Sequence, residues 1–174
     1  MNHVYLAGPY VFLDETGYRR HVAAVTRVLE GLGLCVLAPG RATAGADPAE
    51  VARENLVMLS ECEALIADLS PFRGVEPDAG TAFEVGYAAS RGMIVGAYST
   101  DHRPYAEIAE QHRLAHWDHH PFVEDHQAPV NLMLAPYMHQ SLQACARHVA
   151  AQLLGHGERS GAGPVLQAAS GAHR

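Results

Sequence analysis

Short apolar runs alternate along this chain with longer segments of helical period, and that alternation is what most narrows the folds open to it. His3-Val4-Tyr5-Leu6-Ala7 is an apolar run closed by Gly8-Pro9, the pattern of a strand entering a loop. Val22, Val25, Leu29 and Leu32 then recur at helical spacing, which predicts a helix over 17–32, capped by Asp14 or Thr16 and ended by Gly33. A second strand is expected at 34–37, a helix at 48–60, and a third strand at Ala64-Leu65-Ile66-Ala67, ending in Asp68. A further helix runs from Asp78 to Arg91 and stops at Gly92, before a fourth strand, Met93 to Tyr98. Strands that alternate with helices build parallel βαβ units with right-handed crossovers. Ligands in such sheets bind beyond the carboxyl ends of the strands. Here those ends carry Gly8-Pro9, Pro39, Asp68-Leu69-Ser70-Pro71 and Tyr98-Ser99.

The remainder is harder to assign. Residues 105–129 combine a short helical segment with a polar, His-rich loop, and 132–154 reads as helix interrupted near Pro136. Residues 155–174 are rich in Gly, Ala and Ser without periodicity and read as a flexible tail. The 174 residues therefore suit one domain, 1–154, followed by that tail.

Composition excludes several kinds of chemistry. All 12 basic residues are arginines, so no lysine is present for a Schiff base or for a Gly-Lys-Ser/Thr phosphate loop. A net charge of −7 without a basic stripe argues against a nucleic-acid surface. No run approaches the roughly 18 apolar residues of a membrane span, and the first residues do not read as a signal peptide. Cys35, Cys62 and Cys145 form no Cys-x-x-Cys pair and are expected as reduced, buried thiols of a cytoplasmic protein. Gly8-Pro9 is too short for a dinucleotide fingerprint. His116, Asp118, His119, His120, Asp125 and His126 cluster without metal-site spacing and read as a solvated loop, so no metal is expected.

The stretch from Pro71 to Tyr87 carries the chemical signal. A Gly- and Pro-containing loop delivers Asp78 to a helix start, and Glu84 follows about one and a half turns later among apolar neighbours. The helix dipole favours an ionised Glu84, and Gly80 and Gly86 leave room beside it. A positioned carboxylate is what attack on a sugar's anomeric carbon requires. Taken alone, the spacing equally describes an N-cap and a solvent-facing carboxylate. Arg73 is expected to pair with Glu76 or another loop carboxylate, with phosphate binding as the alternative.

Tyr5-Leu6-Ala7-Gly8-Pro9, Asn55 ahead of Cys62 to Ala67, Pro71-Phe72-Arg73-Gly74 leading to Asp78 through Tyr87, and Asn131-Leu132-Met133 resemble the nucleoside 2-deoxyribosyltransferase family, over roughly residues 3–135. The resemblance implies an α/β domain with a flavodoxin/Rossmann-like parallel sheet of about five strands flanked by helices. It implies exchange of the base of a 2′-deoxynucleoside for another free base, with retention and without metal or organic cofactor. Glu84 then matches the nucleophile that forms a deoxyribosyl intermediate, Asp78 the second carboxylate, and Tyr5 the residue that orients the nucleophile. Gly8, Asn55, Asn131 and Met133 fall at substrate-binding positions, with Asn131 lent to a neighbouring subunit's site, so a homo-oligomer is implied. Asn55 stands where several members have aspartate; an amide recognises a base edge but gives up no proton. Phe12 and Phe72 are candidates to stack on the base or to be plain core. Two other readings compete: a deoxynucleoside or nucleoside 5′-monophosphate hydrolase, and a non-catalytic nucleotide-sensing module, which has no need of a nucleophile.

Overall fold

The computed structural model describes residues 2–41, 45–111 and 126–155. Five strands, β1 (His3–Ala7), β2 (Cys35–Leu37), β3 (Ala64–Asp68), β4 (Ile94–Tyr98) and β5 (Met138–His139), form one sheet in the order β2-β1-β3-β4-β5. Every pairing is parallel. Among the described residues five α-helices connect or follow them: α1 (Glu15–Glu30), α2 (Pro48–Ser60), α3 (Ala79–Ser90), α4 (Tyr105–Gln111) and α5 (Leu142–Gly155). The α/β architecture expected from the alternating pattern is the one observed.

Strand alternation sorts the core into two layers. Val4 and Leu6 of β1, with Ala64 and Ile66 of β3, pack against Val25 and Leu29 of α1 and Cys145 and Val149 of α5. Tyr5, Ala7, Leu65 and Ala67 point the other way, onto Leu59 of α2 and Val85 and Ala88 of α3. Burial on both faces explains why β1 and β3 read as nearly continuous apolar runs.

Helix boundaries follow local chemistry. Asp14 caps α1, its carboxylate accepting from the Gly17 amide at 2.6 Å. Asp47 caps α2 ahead of Pro48 in the same manner, at 3.0 Å from the Ala49 amide. Past α1 the chain turns at Gly33, whose φ of 77° lies in the left-handed region that glycine enters without strain.

Two expectations need correction. Residues 132–154 are not an interrupted helix: a 3-10 turn (Ala135–Tyr137) leads into β5, and α5 begins only at Leu142. A two-residue edge strand has too short a pattern to register as periodicity. Cys35, on edge strand β2, is half-buried, whereas Cys62 and Cys145 are buried; all three are free thiols. The tail lies outside the described residues from 156 onward. No helix among the described residues is long and apolar enough to cross a membrane.

Contact between β4 and α5 depends on Gly96. A Cβ built there would stand 2.6 Å from Cys145 Sγ and 3.1 Å from Val149 Cγ2. We predict that Gly96→Ala destabilises the fold by about 1–3 kcal/mol. In urea unfolding, Gly96→Ala with Cys145→Ala should recover part of that loss; strict additivity of the two substitutions would contradict the contact.

Candidate active site

Strand order places the crevice. From β1 the chain crosses to β2 on one side and then returns to β3 on the other, so connections diverge between β1 and β3. Ligands of doubly wound sheets bind at such a switch point, beyond the carboxyl ends of the strands. Loops leaving Ala7 and Asp68 form its walls, and α3 opens beside it.

Asp78 is the N-cap of α3, its Oδ2 accepting from the Thr81 amide at 2.9 Å and from the Thr81 hydroxyl at 3.0 Å. Its other oxygen lies outside that cap. A Cβ at Gly80 would approach Oδ2 to 3.1 Å, so the glycine keeps the carboxylate uncrowded; Gly86 faces open space. The N-cap and active-site readings of Asp78 are thus compatible.

Glu84 is half-buried. The Tyr5 hydroxyl, at the end of a fully buried side chain, donates to Glu84 Oε1 at 2.6 Å across the β1–α3 interface. One oxygen is fixed by this bond, and Oε2 is the one left to act. Burial pushes the Glu84 carboxyl up to about 7; the Tyr5 hydrogen bond opposes this and the Asp78 charge adds to it. Desolvation thus opposes the preference for the ionised form that the helix dipole gives Glu84. Burial, followed by the Glu84 charge and the hydrogen bond to it, drives the Tyr5 hydroxyl far above the ordinary tyrosine range. Tyr5 is a fixed neutral donor.

Phe12, past β1, and Phe72, past β3, stack with their ring centroids 4.9 Å apart at 24°. A base held between two rings needs them roughly twice the 3.5–4 Å contact distance apart. The pair is thus one continuous wall rather than the two jaws of a clamp, and Phe12 remains 51% exposed. Arg73 does not pair with Glu76. Its guanidinium carbon lies 4.8 Å from the Phe12 centroid and 4.7 Å from that of Phe72. The Glu76 carboxylate instead accepts from the Tyr105 hydroxyl. Arg73 has a φ of 54°, a conformation uncommon outside glycine.

Gly8 bends the chain off β1, and a Cβ there would stand 2.4 Å from the Tyr10 ring. Asn55 is half-buried on α2, one turn before Leu59, which packs in the Tyr5 layer. In the Asn131–Met133 turn, Asn131 Oδ1 accepts from the Met133 amide at 3.0 Å. Buried Val130 and Leu134 anchor this turn, while Met133 is 75% exposed. No described contact joins Asn131 to Glu84 within the chain. His116, Asp118, His119, His120 and Asp125 lie outside the described residues; His126 Nδ1 accepts from the Ala128 amide. One further carboxyl, read in the sequence only as a strand end, is buried. Asp68, at the end of a central strand, is only 6% exposed.

The family model of nucleoside 2-deoxyribosyltransferases matches residues 4–133, and the chain belongs to that family. It is similar to a solved 2-deoxyribosyltransferase from Leishmania mexicana, with 33% identity, a TM-score of 0.70, and coverage of 86% of this chain and 97% of that one. A 2-deoxyribosyltransferase from Bacillus psychrosaccharolyticus, at 19% identity and a TM-score of 0.52, shares the fold over 80% of this chain and 87% of its own. An uncharacterized protein of Schizosaccharomyces pombe is 31% identical over 125 residues, which are 66% of this chain and 57% of the relative's length. The match thus spans little more than half of that relative.

Glu84 links the site to stability. In the unfolded chain it ionises near the ordinary 4.5, but in the fold only near 7. Between those values the folded state keeps a proton that the unfolded state has lost, so stability falls as pH rises through the window. We predict that Glu84→Gln, which still accepts from Tyr5, gains about 3 kcal/mol above pH 8. The gain should vanish near about pH 4 in urea unfolding. A pH-independent difference would contradict the raised carboxyl.

Proposed function

We propose that this protein transfers a 2-deoxyribosyl group from a 2′-deoxynucleoside to a free nucleobase. The observation that carries this reading is the Tyr5–Glu84 bond at the switch point. It holds one carboxylate oxygen still and leaves Oε2 outside that bond. The family match and the likeness to the Leishmania mexicana structure support the same reading.

The reaction divides into two displacements at C1′. Glu84 Oε2 attacks the anomeric carbon as the N-glycosidic bond breaks, and the electron pair leaves with the base, which takes up a proton. A ring nitrogen of the second base then attacks C1′, expels the carboxylate and loses its proton. Two inversions return the β configuration. The transition states resemble an oxocarbenium ion, which a neighbouring carboxylate stabilises. The sugar's missing 2′-hydroxyl withdraws no electrons, which lowers the demand on the protein. Asp78, with one oxygen outside its cap, holds the sugar and assists proton movement. Asn55 reads the base edge and supplies no proton. Phe12 and Phe72 offer the base an apolar face, and Gly8 lines the substrate on the β1 side. None of these steps calls on a metal or an organic cofactor.

Asn131 and Met133 serve a neighbouring subunit in this reading. Their turn points outward on anchored flanks, and the exposed Leu132 and Met133 offer apolar area to a second copy. The working protein is then a homo-oligomer whose partners are small nucleosides and bases.

Chromatography after incubation with deoxyinosine and adenine should show deoxyadenosine. Equal release of deoxyribose without adenine would instead establish hydrolysis, and no turnover of any nucleoside or nucleotide would sink both. Because the attacking group must be ionised, kcat/KM should rise with pH to a plateau above about 7. Glu84→Ala should abolish turnover without unfolding the chain. Mixing Glu84→Ala with Asn131→Ala chains should restore activity to about a quarter of the sites in statistically mixed dimers. No rescue in confirmed mixed oligomers would remove Asn131 from the shared site.

A further inference from the structure

On the opposite face of the sheet from the Tyr5–Glu84 bond lies a second polar cluster centred on Asp68. Asp68 Oδ1 accepts from the Ser70 amide at 2.9 Å and from the Ser70 hydroxyl. Ser70 Oγ in turn accepts from the amide and the hydroxyl of Thr100, each at 2.9 Å. The Tyr10 and Tyr98 hydroxyls are 2.9 Å apart, buried in the layer of α1 and α5. Burial raises the Tyr10 hydroxyl well above its ordinary range, and Tyr98 and then Asp68 add to this by charge and hydrogen bonding. The Tyr10 ring is also stacked on His21 at 3.8 Å. A buried acid needs hydrogen-bond partners, and here the donors are the Ser70 amide and hydroxyl in the loop after β3. Through Ser70 and Tyr98 the same cluster reaches β4 and the loop after it.

Those loops carry the aromatic wall. Tyr10 precedes Phe12 by two residues, and Ser70 precedes Phe72 by two. The Phe72 root is therefore held by Asp68 through Ser70, and the Phe12 root by the Tyr10–Tyr98 hydroxyl pair, whose Tyr98 is the strand neighbour of Asp68. We propose that Asp68 is a positioning residue that sets the Phe12–Phe72 wall against which the nucleobase binds. This rests on the transferase reading for the identity of the ligand, but the ring placement itself does not. Asp68 acts through Ser70 and, by way of its strand neighbour Tyr98, through Tyr10. Because Glu84 is held by Tyr5 from the other sheet layer, loss of the Asp68 cluster weakens base binding and spares the displacement chemistry.

The test compares Asp68→Asn, Tyr10→Phe and the double variant in steady-state kinetics and in nuclear Overhauser contacts between the Phe12 and Phe72 rings. Each single variant should raise KM for the acceptor base roughly tenfold with kcat within about threefold. The double variant should be no worse than the weaker single, because one network is broken once. The Phe12–Phe72 ring contacts should fade in all three. Unchanged KM and unchanged ring contacts would overturn the proposal, even where the melting temperature falls; so would a loss confined to kcat. Should Asp68→Asn not fold, Tyr10→Phe decides alone. Faded ring contacts beside an inactive wild type would sink the transferase reading and leave the positioning role standing.

Discussion

A hydrogen bond of 2.6 Å between Tyr5 and Glu84 joins the first strand to the third helix, and the site is organised around it. Tyr5 is wholly buried in a central strand, so its hydroxyl is as fixed as the sheet itself. Glu84 projects from a helix whose start is pinned by the Asp78 cap. The bond orients the carboxylate, yet it does not compensate for the water lost on burial, which leaves Glu84 poised near neutrality. A carboxyl in this condition ionises at working pH and, once ionised, is poorly solvated. That is the electrostatic state in which a carboxylate attacks carbon readily.

The sheet divides the labour between its faces. In the proposed reaction the chemistry sits on the α3 side, where Tyr5, Glu84 and Asp78 come together. The α1 and α5 side holds the buried acid Asp68 and two tyrosines, which tie down the loops at the crevice without entering it. The switch point makes this division available, because loops from both central strands rise there with one foot in each layer. The Asn131–Met133 turn is rooted in the α2 and α3 layer by Val130 and Leu134. It projects its tip outward, as a contribution to another copy requires.

Much of this was legible in the residues, for identifiable reasons. Asp47-Pro48 and Asp78 mark helix starts through backbone capping, which is local chemistry, and both helices begin where those signals stand. The apolar runs of β1 and β3 reveal burial on both faces. What escaped reading depends on tertiary surroundings. The dipole argument for an ionised Glu84 omitted desolvation, which only packing supplies. Arg73 was expected on Glu76, but Tyr105, distant in sequence, takes that carboxylate and the guanidinium settles over two rings. Asp68 ends a strand in plain sight, yet strand sequence alone does not say which layer's hydroxyls will meet it. β5, at two residues, carries no pattern to read.

The central claim is that Glu84 forms a bond to the sugar. Intact-protein mass spectrometry after rapid quenching, with a 2′-deoxynucleoside and no acceptor base, tests it most directly. The account predicts a mass increase of one 2-deoxyribosyl group, mapped by peptide digestion to the segment containing Glu84 and discharged on adding adenine. Base exchange proceeding at full rate in the Glu84→Ala protein, or an adduct mapping to another residue, would contradict it.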